Sequence, residues 1–171
     1  MRKKCFDALK KCLSQVIIDK QELDFIKNKT GLWVRNTKIE QIENCIIREM
    51  RGNSQVREMW GNSQVREMRG SSQVRVMWES SQVGVMRESS QVGVMRESSQ
   101  VRVMWGNSQV GEMRGNSQVR EMRGSSQVGV MRESSQVGEM KNSSIAINHK
   151  NTTIEIISPA DIKITKFIGD K

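Results

Sequence analysis

Apolar residues recur with a nine-residue period through the middle of the chain, from Asn53 to Met140. Each unit reads (Asn/Ser)-Ser-Gln-Val-(Arg/Gly)-(Glu/Val)-Met-(Arg/Trp)-(Gly/Glu), and we number its positions 1 to 9 in that order. Valine at position 4 is followed by methionine at position 7 in all ten units. Because nine matches neither a heptad nor an eleven-residue repeat, a continuous helix would wind the Val-Met stripe around its axis. Frequent glycine and serine disfavour a helix further.

The same unit fits a strand followed by a corner. Side chains alternate along a strand, so serine at position 2 and valine at position 4 would point to the same side. Methionine is out of phase with them on a straight strand, which requires a bend between positions 4 and 7. We therefore predict a mainly β protein, a parallel β-solenoid with a Ser/Val/Met interior and identical residues stacked as ladders. The glutamines at position 3 are predicted to form an amide ladder.

The number of units in each coil follows less directly from the repeat. Two units would give eighteen residues per coil, and three would give twenty-seven. We favour two, because the narrow Ser/Val/Met interior suits a flattened cross-section. Residues 36–141 would then form about six coils, about 28 Å tall at the usual strand spacing.

Both ends of the chain depart from the regular repeat. In residues 1–35, apolar residues from Phe6 to Ile17 and again over Lys20 to Lys27 have helical spacing, which predicts a short helical cap. The alternative for the first helix is a basic amphipathic segment that binds a membrane surface or nucleic acid. We divide the chain into this cap at 1–35, the solenoid at 36–141, and degenerate rungs with a β cap at 142–171.

Degenerate units flank the regular ones. Segments 36–42 and 44–50 match the repeat with isoleucine in place of valine, and three alternating segments follow Met140 (144–147, 153–156 and 161–164). Terminal repeats are expected to be atypical because one of their faces has no neighbour. Exposed strand edges there would allow self-association through the solenoid ends.

Composition supports a repeat architecture and a basic surface. The chain has 171 residues, 36% of them hydrophobic, with three Phe, four Trp and no Tyr, which is too little to fill an ordinary globular core. Its formal net charge is +9. We expect a cytoplasmic protein of a bacterial host, because lysines interrupt the apolar segment that a signal peptide would need and no segment is apolar enough to span a membrane.

Residues that could carry catalysis or bind a cofactor are sparse. His149 is the single histidine, and Cys5, Cys12 and Cys45 lack the spacing of a zinc site. The repeats contain no Asp, unlike calcium-binding nonapeptides, and the chain has no phosphate-binding glycine motif. We predict no enzyme activity, no catalytic residue, no metal and no cofactor.

One outward position carries candidate ligand-binding residues. Position 8 interleaves cations with indoles, and such a column could neutralise phosphates and stack bases or sugars. Alternatively, these residues only shield the strand edges and stack on each other. The residues of this Arg/Trp column are Trp60, Arg69, Trp78, Arg87, Arg96, Trp105, Arg114, Arg123 and Arg132, followed by Lys141.

The units GNSQVREMW, GNSQVREMR and ESSQVGVMR resemble tandem-repeat proteins of gut bacteria, their phages and mobile elements, which look like short β-solenoids. The resemblance covers about residues 44–141. It implies a non-enzymatic repeat protein encoded by a phage or mobile element, and it assigns no functional residue.

Three functions follow as hypotheses. The first is a structural or protein-interaction module that displays side-chain ladders to an unknown protein partner or to another copy of itself. The second is nucleic-acid or polyanion binding through the Arg/Trp column and the basic N-terminal helix. The third is a glycan-binding adhesin segment with tryptophan platforms.

Overall fold

The computed structural model describes residues 16–141, 144–148, 153–156 and 163–166, and it contains strands but no helix in these ranges. The first five strands are β1 (Val16–Asp19), β2 (Glu22–Lys27), β3 (Thr30–Arg35), β4 (Lys38–Glu43) and β5 (Ile46–Arg51). The regular units form β6 (Gln55–Trp60), β7 (Gln64–Met68), β8 (Gln73–Met77), β9 (Gln82–Met86), β10 (Gln91–Met95), β11 (Gln100–Met104), β12 (Gln109–Met113), β13 (Gln118–Met122), β14 (Gln127–Met131) and β15 (Gln136–Met140). The last three are β16 (Ile145–Asn148), β17 (Thr153–Ile156) and β18 (Lys163–Lys166).

These strands form two parallel nine-stranded sheets. The odd-numbered strands pair in order from β1 to β17, and the even-numbered strands pair in order from β2 to β18. We call them the odd sheet and the even sheet. Gln100 pairs with Gln82 below it and with Gln118 above it, so identical residues eighteen positions apart are in register. This confirms the parallel β-solenoid and the prediction of two nine-residue units per coil.

The interior is built from positions 2, 4 and 7, as predicted. Val92 and Met95 of β10 are 1% and 0% exposed, and the equivalent valines and methionines of the other units are equally buried. Positions 5 and 6 between them are both partly or fully exposed. Between neighbouring strands of a sheet, residues at positions 4 and 6 are paired and residues at position 5 are not. The strand bends at position 5, and this bend turns the methionine at position 7 inward.

Small polar residues occupy the buried site just after each corner. Ser54 donates from Oγ to the carbonyl oxygen of Arg51 at 2.6 Å, and Ser63 does the same to Trp60 at 2.7 Å. Thr37 and Cys45 take the same place in the irregular first coils, and both are fully buried. A short side chain therefore fits this site beside the corner, and at Ser54, Ser63, Ser81 and Ser144 its hydroxyl group also donates to the carbonyl oxygen three residues earlier.

Each corner requires one residue in the left-handed region of backbone conformation. Glycine serves at Gly70 with φ of 69° and at Gly115 with φ of 67°. Glutamate takes the same conformation at Glu79, Glu88, Glu97 and Glu133, with φ between 56° and 59°. Gly and Glu at position 9 therefore adopt the same corner conformation, and the corners with glutamate carry backbone strain because glutamate has a β-carbon.

The predicted helix over Lys20 to Lys27 is wrong, because residues 22–27 form strand β2. Leu23 and Ile26 are buried and three residues apart, which is also the spacing of Val and Met in each unit. Phe25, which helical spacing would bury, is 47% exposed. Most of the first predicted helix lies outside the described residues, and its last two residues belong to β1. The described part of residues 1–35 therefore continues the solenoid instead of forming a helical cap.

Candidate interaction surfaces

The structure divides the predicted Arg/Trp column into two columns on opposite edges of the solenoid. Residues that follow odd-sheet strands form one column, and residues that follow even-sheet strands form the other. The odd column contains Arg51, Arg69, Arg87, Trp105, Arg123 and Lys141. The even column contains Trp60, Trp78, Arg96, Arg114 and Arg132. Each sequence-predicted residue thus lies at an edge, but the structure does not bring all of them onto one surface.

The odd column is neutralised by glutamates at position 6. Glu67 forms ion pairs through Oε1 with a guanidinium nitrogen of Arg69 in its own coil at 2.8 Å and with one of Arg87 in the next coil at 2.7 Å. Glu121 pairs in the same way with Arg123 and with Lys141. One carboxylate thus bridges two coils, and little positive charge is left free along these parts of the edge.

The even column is occupied partly by ion pairs and partly by stacked rings. Glu112 pairs with Arg114 at 2.8 Å and with Arg132 at 2.7 Å. The hydrogen bond from Arg114, reinforced by the charges of both arginines, lowers the pKa of Glu112 from its ordinary value. This direction is the one expected for a carboxylate held between two cations.

The indoles stack within their own columns. The rings of Trp60 and Trp78 are parallel, with centroids 4.9 Å apart and an interplanar angle of 11°. The guanidinium of Arg96 covers Trp78 at 4.6 Å, and that of Arg123 covers Trp105 at 4.7 Å. Trp78 therefore has an aromatic ring on one side and a cation on the other, which leaves neither face open for a base or a sugar.

A different set of outward residues forms a shallow trough along the odd sheet. Glutamines at position 3 form one side and position 5 forms the other, over a volume of about 470 Å³. Position 5 supplies exposed arginines at Arg66, Arg102 and Arg120, and glycines at Gly84 and Gly138. The trough spans five successive coils and has no acidic residue in its lining.

The arginines of this trough differ from those at the edges because none of the three forms an ion pair with another described residue. Glu67 follows Arg66 directly in sequence, yet its carboxylate pairs with Arg69 and Arg87. Glu121, which follows Arg120, pairs with Arg123 and Lys141. The glutamates nearest in sequence therefore pair with cations of the odd column, and the positive charge of the trough arginines is not compensated by them.

The equivalent trough on the even sheet is smaller and more nearly neutral. It has a volume of about 330 Å³ and includes Lys38, Glu40, Arg57 and Arg75. Arg57 pairs with Glu40 at 2.9 Å, and Lys38 pairs with Glu22 at 3.5 Å. Of its basic residues, Arg75 alone lacks an ion pair with a described residue.

Sequence reasoning placed the candidate site at position 8 and missed positions 3 and 5. Position 5 is either Arg or Gly without a regular order, so the series Arg66, Gly84, Arg102, Arg120 and Gly138 emerges only when every second unit is read together. The signal was present in the sequence once two units per coil were assumed. The predicted amide ladder stays a prediction, although the glutamines are stacked in register.

Other sources of chemistry are limited in the described residues. No group of three or more His, Cys, Asp or Glu side chains among them could hold a metal ion. Cys45 is a buried free thiol, and burial raises its pKa. Within the same ranges, no helix is both long and apolar enough to cross a membrane. His149, Cys5 and Cys12 lie outside the described residues.

The fold and its surfaces define a class of protein, a parallel β-solenoid of tandem nonapeptides with distinct edge columns and sheet faces. Comparison of the chain with protein-family models, curated proteins and solved structures found no match in any of the three.

Proposed function

We propose that the chain is a non-enzymatic repeat module whose solenoid presents side-chain ladders to a binding partner. The main support is that each unit separates its buried positions from its variable positions. Positions 2, 4 and 7 are buried and nearly constant, whereas the positions that vary between charged, aromatic and small residues, namely 5, 6, 8 and 9, reach the surface. The interior thus supplies a regular frame, and differences between units alter only what the surface displays.

Site-specific photo-crosslinking in the native host would test this proposal. A photoreactive amino acid in place of Gln100 would sample the odd sheet, and the same replacement of Gln109 would sample the even sheet. Both residues are exposed and equivalent in the repeat, so they form a matched pair. A partner captured reproducibly through one face would support the proposal. Absence of any adduct from either face, at native expression level, would contradict it.

Self-association through the ends of the solenoid is a second form of the same proposal. At the described C-terminal end, β17 pairs with β15 and β18 pairs with β16, so each has one neighbour in its sheet. An unpaired strand edge can accept another strand. A monomer in light scattering at high concentration would argue against this form.

Nucleic-acid binding through the Arg/Trp columns has weaker support. Seven of the column cations are held in ion pairs with glutamates of position 6, namely Arg51, Arg69, Arg87, Arg114, Arg123, Arg132 and Lys141. Stacking within the columns likewise weakens the proposal of a glycan-binding segment that uses tryptophan platforms. Among the described residues, the trough on the odd sheet instead holds three arginines that form no ion pair, Arg66, Arg102 and Arg120.

A further inference from the structure

We infer that the trough on the odd sheet, lined by Gln64, Gln82, Gln100, Gln118 and Gln136 and by Arg66, Arg102 and Arg120, binds a linear acidic polysaccharide along the solenoid axis. This inference rests on the proposed function, because it names the partner of one displayed face.

The charge of the trough selects an anionic occupant. Arg66, Arg102 and Arg120 are exposed, unpaired among the described residues, and unaccompanied by acids in the lining. Arg102 and Arg120 lie on neighbouring strands, about 4.8 Å apart along the axis. Two guanidinium groups at this spacing repel each other when free, so an anion that contacts both gains from relief of that repulsion as well as from its own hydrogen bonds.

The shape of the trough selects a linear occupant. Its floor follows the same strand positions through five coils. Gly84 and Gly138 place no side chain above that floor, and the backbone fits glycine there, since a β-carbon would lie 2.5 Å and 2.7 Å from the carbonyl oxygens of Arg66 and Arg120. A small anion would use one rung only. A chain that runs parallel to the axis can contact every rung in turn.

The chemistry of the trough favours a polysaccharide over a nucleic acid. The lining of this trough has no aromatic side chain, so neither bases nor sugar rings can stack there, and binding has to rest on hydrogen bonds and charge. Glutamine amides instead donate and accept hydrogen bonds, which suits the hydroxyl groups of sugars. The guanidinium fork of arginine suits the carboxylate of a uronic acid. One Gln per rung beside an interrupted row of Arg therefore matches a chain that carries hydroxyls throughout and carboxylates at intervals.

Binding of the whole chain to polygalacturonate, measured by calorimetry over a range of salt concentrations, tests the inference. Arg102→Gly/Arg120→Gly is the test variant, and the change is one that the repeat already contains at Gly84 and Gly138. Arg57→Gly/Arg75→Gly removes the same charge from the even sheet and serves as its control. We expect the test variant to lose affinity by roughly tenfold or more and the control by less than about twofold, since charge-assisted hydrogen bonds are strong.

The ligand is varied in the same assay. Methyl-esterified polygalacturonate keeps the sugar chain and removes the carboxylate charge, so we expect its binding to be lost. Polyglutamate and oligo-dT carry charge without sugar hydroxyls in the same arrangement, and we expect weaker binding of both. A Gln100→Ala/Gln118→Ala variant should weaken binding of polygalacturonate but not of oligo-dT.

Three outcomes would overturn the inference. Equal losses in the two double-arginine variants would show attraction to net charge alone. Equal affinity for oligo-dT and polygalacturonate, with the same dependence on Arg102 and Arg120, would show a trough for nucleic acid or any polyanion. No binding of polygalacturonate would refute the polysaccharide, and a protein captured by the crosslinker at Gln100 would then leave the proposed module function standing.

Discussion

The four glutamates at the corners provide a sharp test of the backbone geometry. At Glu97, φ is 56°, and the left-handed region costs a residue with a β-carbon about 1–2 kcal/mol. Glycine does not have this cost, but its greater freedom in the unfolded chain lowers the stability of the folded state by about 0.5–1 kcal/mol relative to a residue with a β-carbon. We therefore expect Glu97→Gly to raise the free energy of unfolding by about 0.5–1 kcal/mol.

Charge is the competing explanation, and a matched variant separates the two. Glu97 lies one coil above Glu79, and like charges on neighbouring rungs repel. Glu97→Ala removes the carboxylate but keeps the β-carbon, so the backbone argument predicts little of the gain. Glu88→Gly should gain less than Glu97→Gly, because Glu88 accepts a hydrogen bond from the Gly70 amide at 2.8 Å that the change would delete.

Urea unfolding of the four proteins gives the measurement, with an unchanged slope against denaturant as the sign that only stability has changed. The expected order of midpoints is Glu97→Gly above Glu88→Gly, with Glu97→Ala close to the parent. An equal gain from Glu97→Ala and Glu97→Gly would refute the reasoning, since relief of charge repulsion would then account for the whole effect.

Three further predictions follow from the interior and the edges. Met95→Ala, at a fully buried site, should lower the free energy of unfolding by about 2–5 kcal/mol in urea titrations, whereas Gln91→Ala on the same strand should change it little. The pKa of Glu112 is lowered in the folded state, so the carboxylate stabilises the protein fully above its unfolded pKa, and this contribution is lost as pH falls through the folded pKa. Arg114→Ala removes the main cause of the shift and should raise the pKa of Glu112, as measured by carbon-detected NMR. With Cys5 and Cys12 changed to Ser, Cys45 should react with a thiol reagent far more slowly in the folded protein than in urea, and equally fast reaction in both would contradict its burial.

The regular part of the fold was predictable because local pattern and global architecture agree there. Ser, Val and Met at positions 2, 4 and 7 have no common side on a straight strand, and only a repeated bend buries all three. The break in pairing at position 5 shows that bend. Consistency of this kind across ten units makes the prediction strong even without an ordinary globular core.

The first coils were mispredicted because a three-residue spacing of apolar residues is ambiguous. Leu23 and Ile26 fit one turn of a helix and also fit positions 4 and 7 of a unit. A longer pattern would have decided between them: Ile18, Ile26, Val34 and Ile42 recur every eight residues and are all buried. The shorter period reflects corners with one residue fewer: the left-handed residue Asn44 directly precedes the buried Cys45, with no equivalent of position 1 between them.

The candidate surface was predictable only in part because it depends on which units lie on the same face. The sequence places Arg102 and Arg120 two units apart, and the coil of two units makes them neighbours. It also places Glu121 beside Arg120, but the strand bend directs that carboxylate to Arg123 instead. Which charges remain free is therefore a property of the coil and not of local sequence.

A coil of two units makes residues eighteen positions apart direct neighbours. Nitroxide labels on cysteines, introduced into a chain whose own cysteines are changed to Ser, test it by electron paramagnetic resonance. Labels at Gln82 and Gln100 should be strongly broadened, because these residues pair on adjacent strands about 4.8 Å apart. Labels at Gln82 and Gln109, which lie on opposite sheets, should lack this broadening. Strong broadening of the Gln82/Gln109 pair, with none for Gln82/Gln100, would show three units per coil and contradict the two-sheet solenoid.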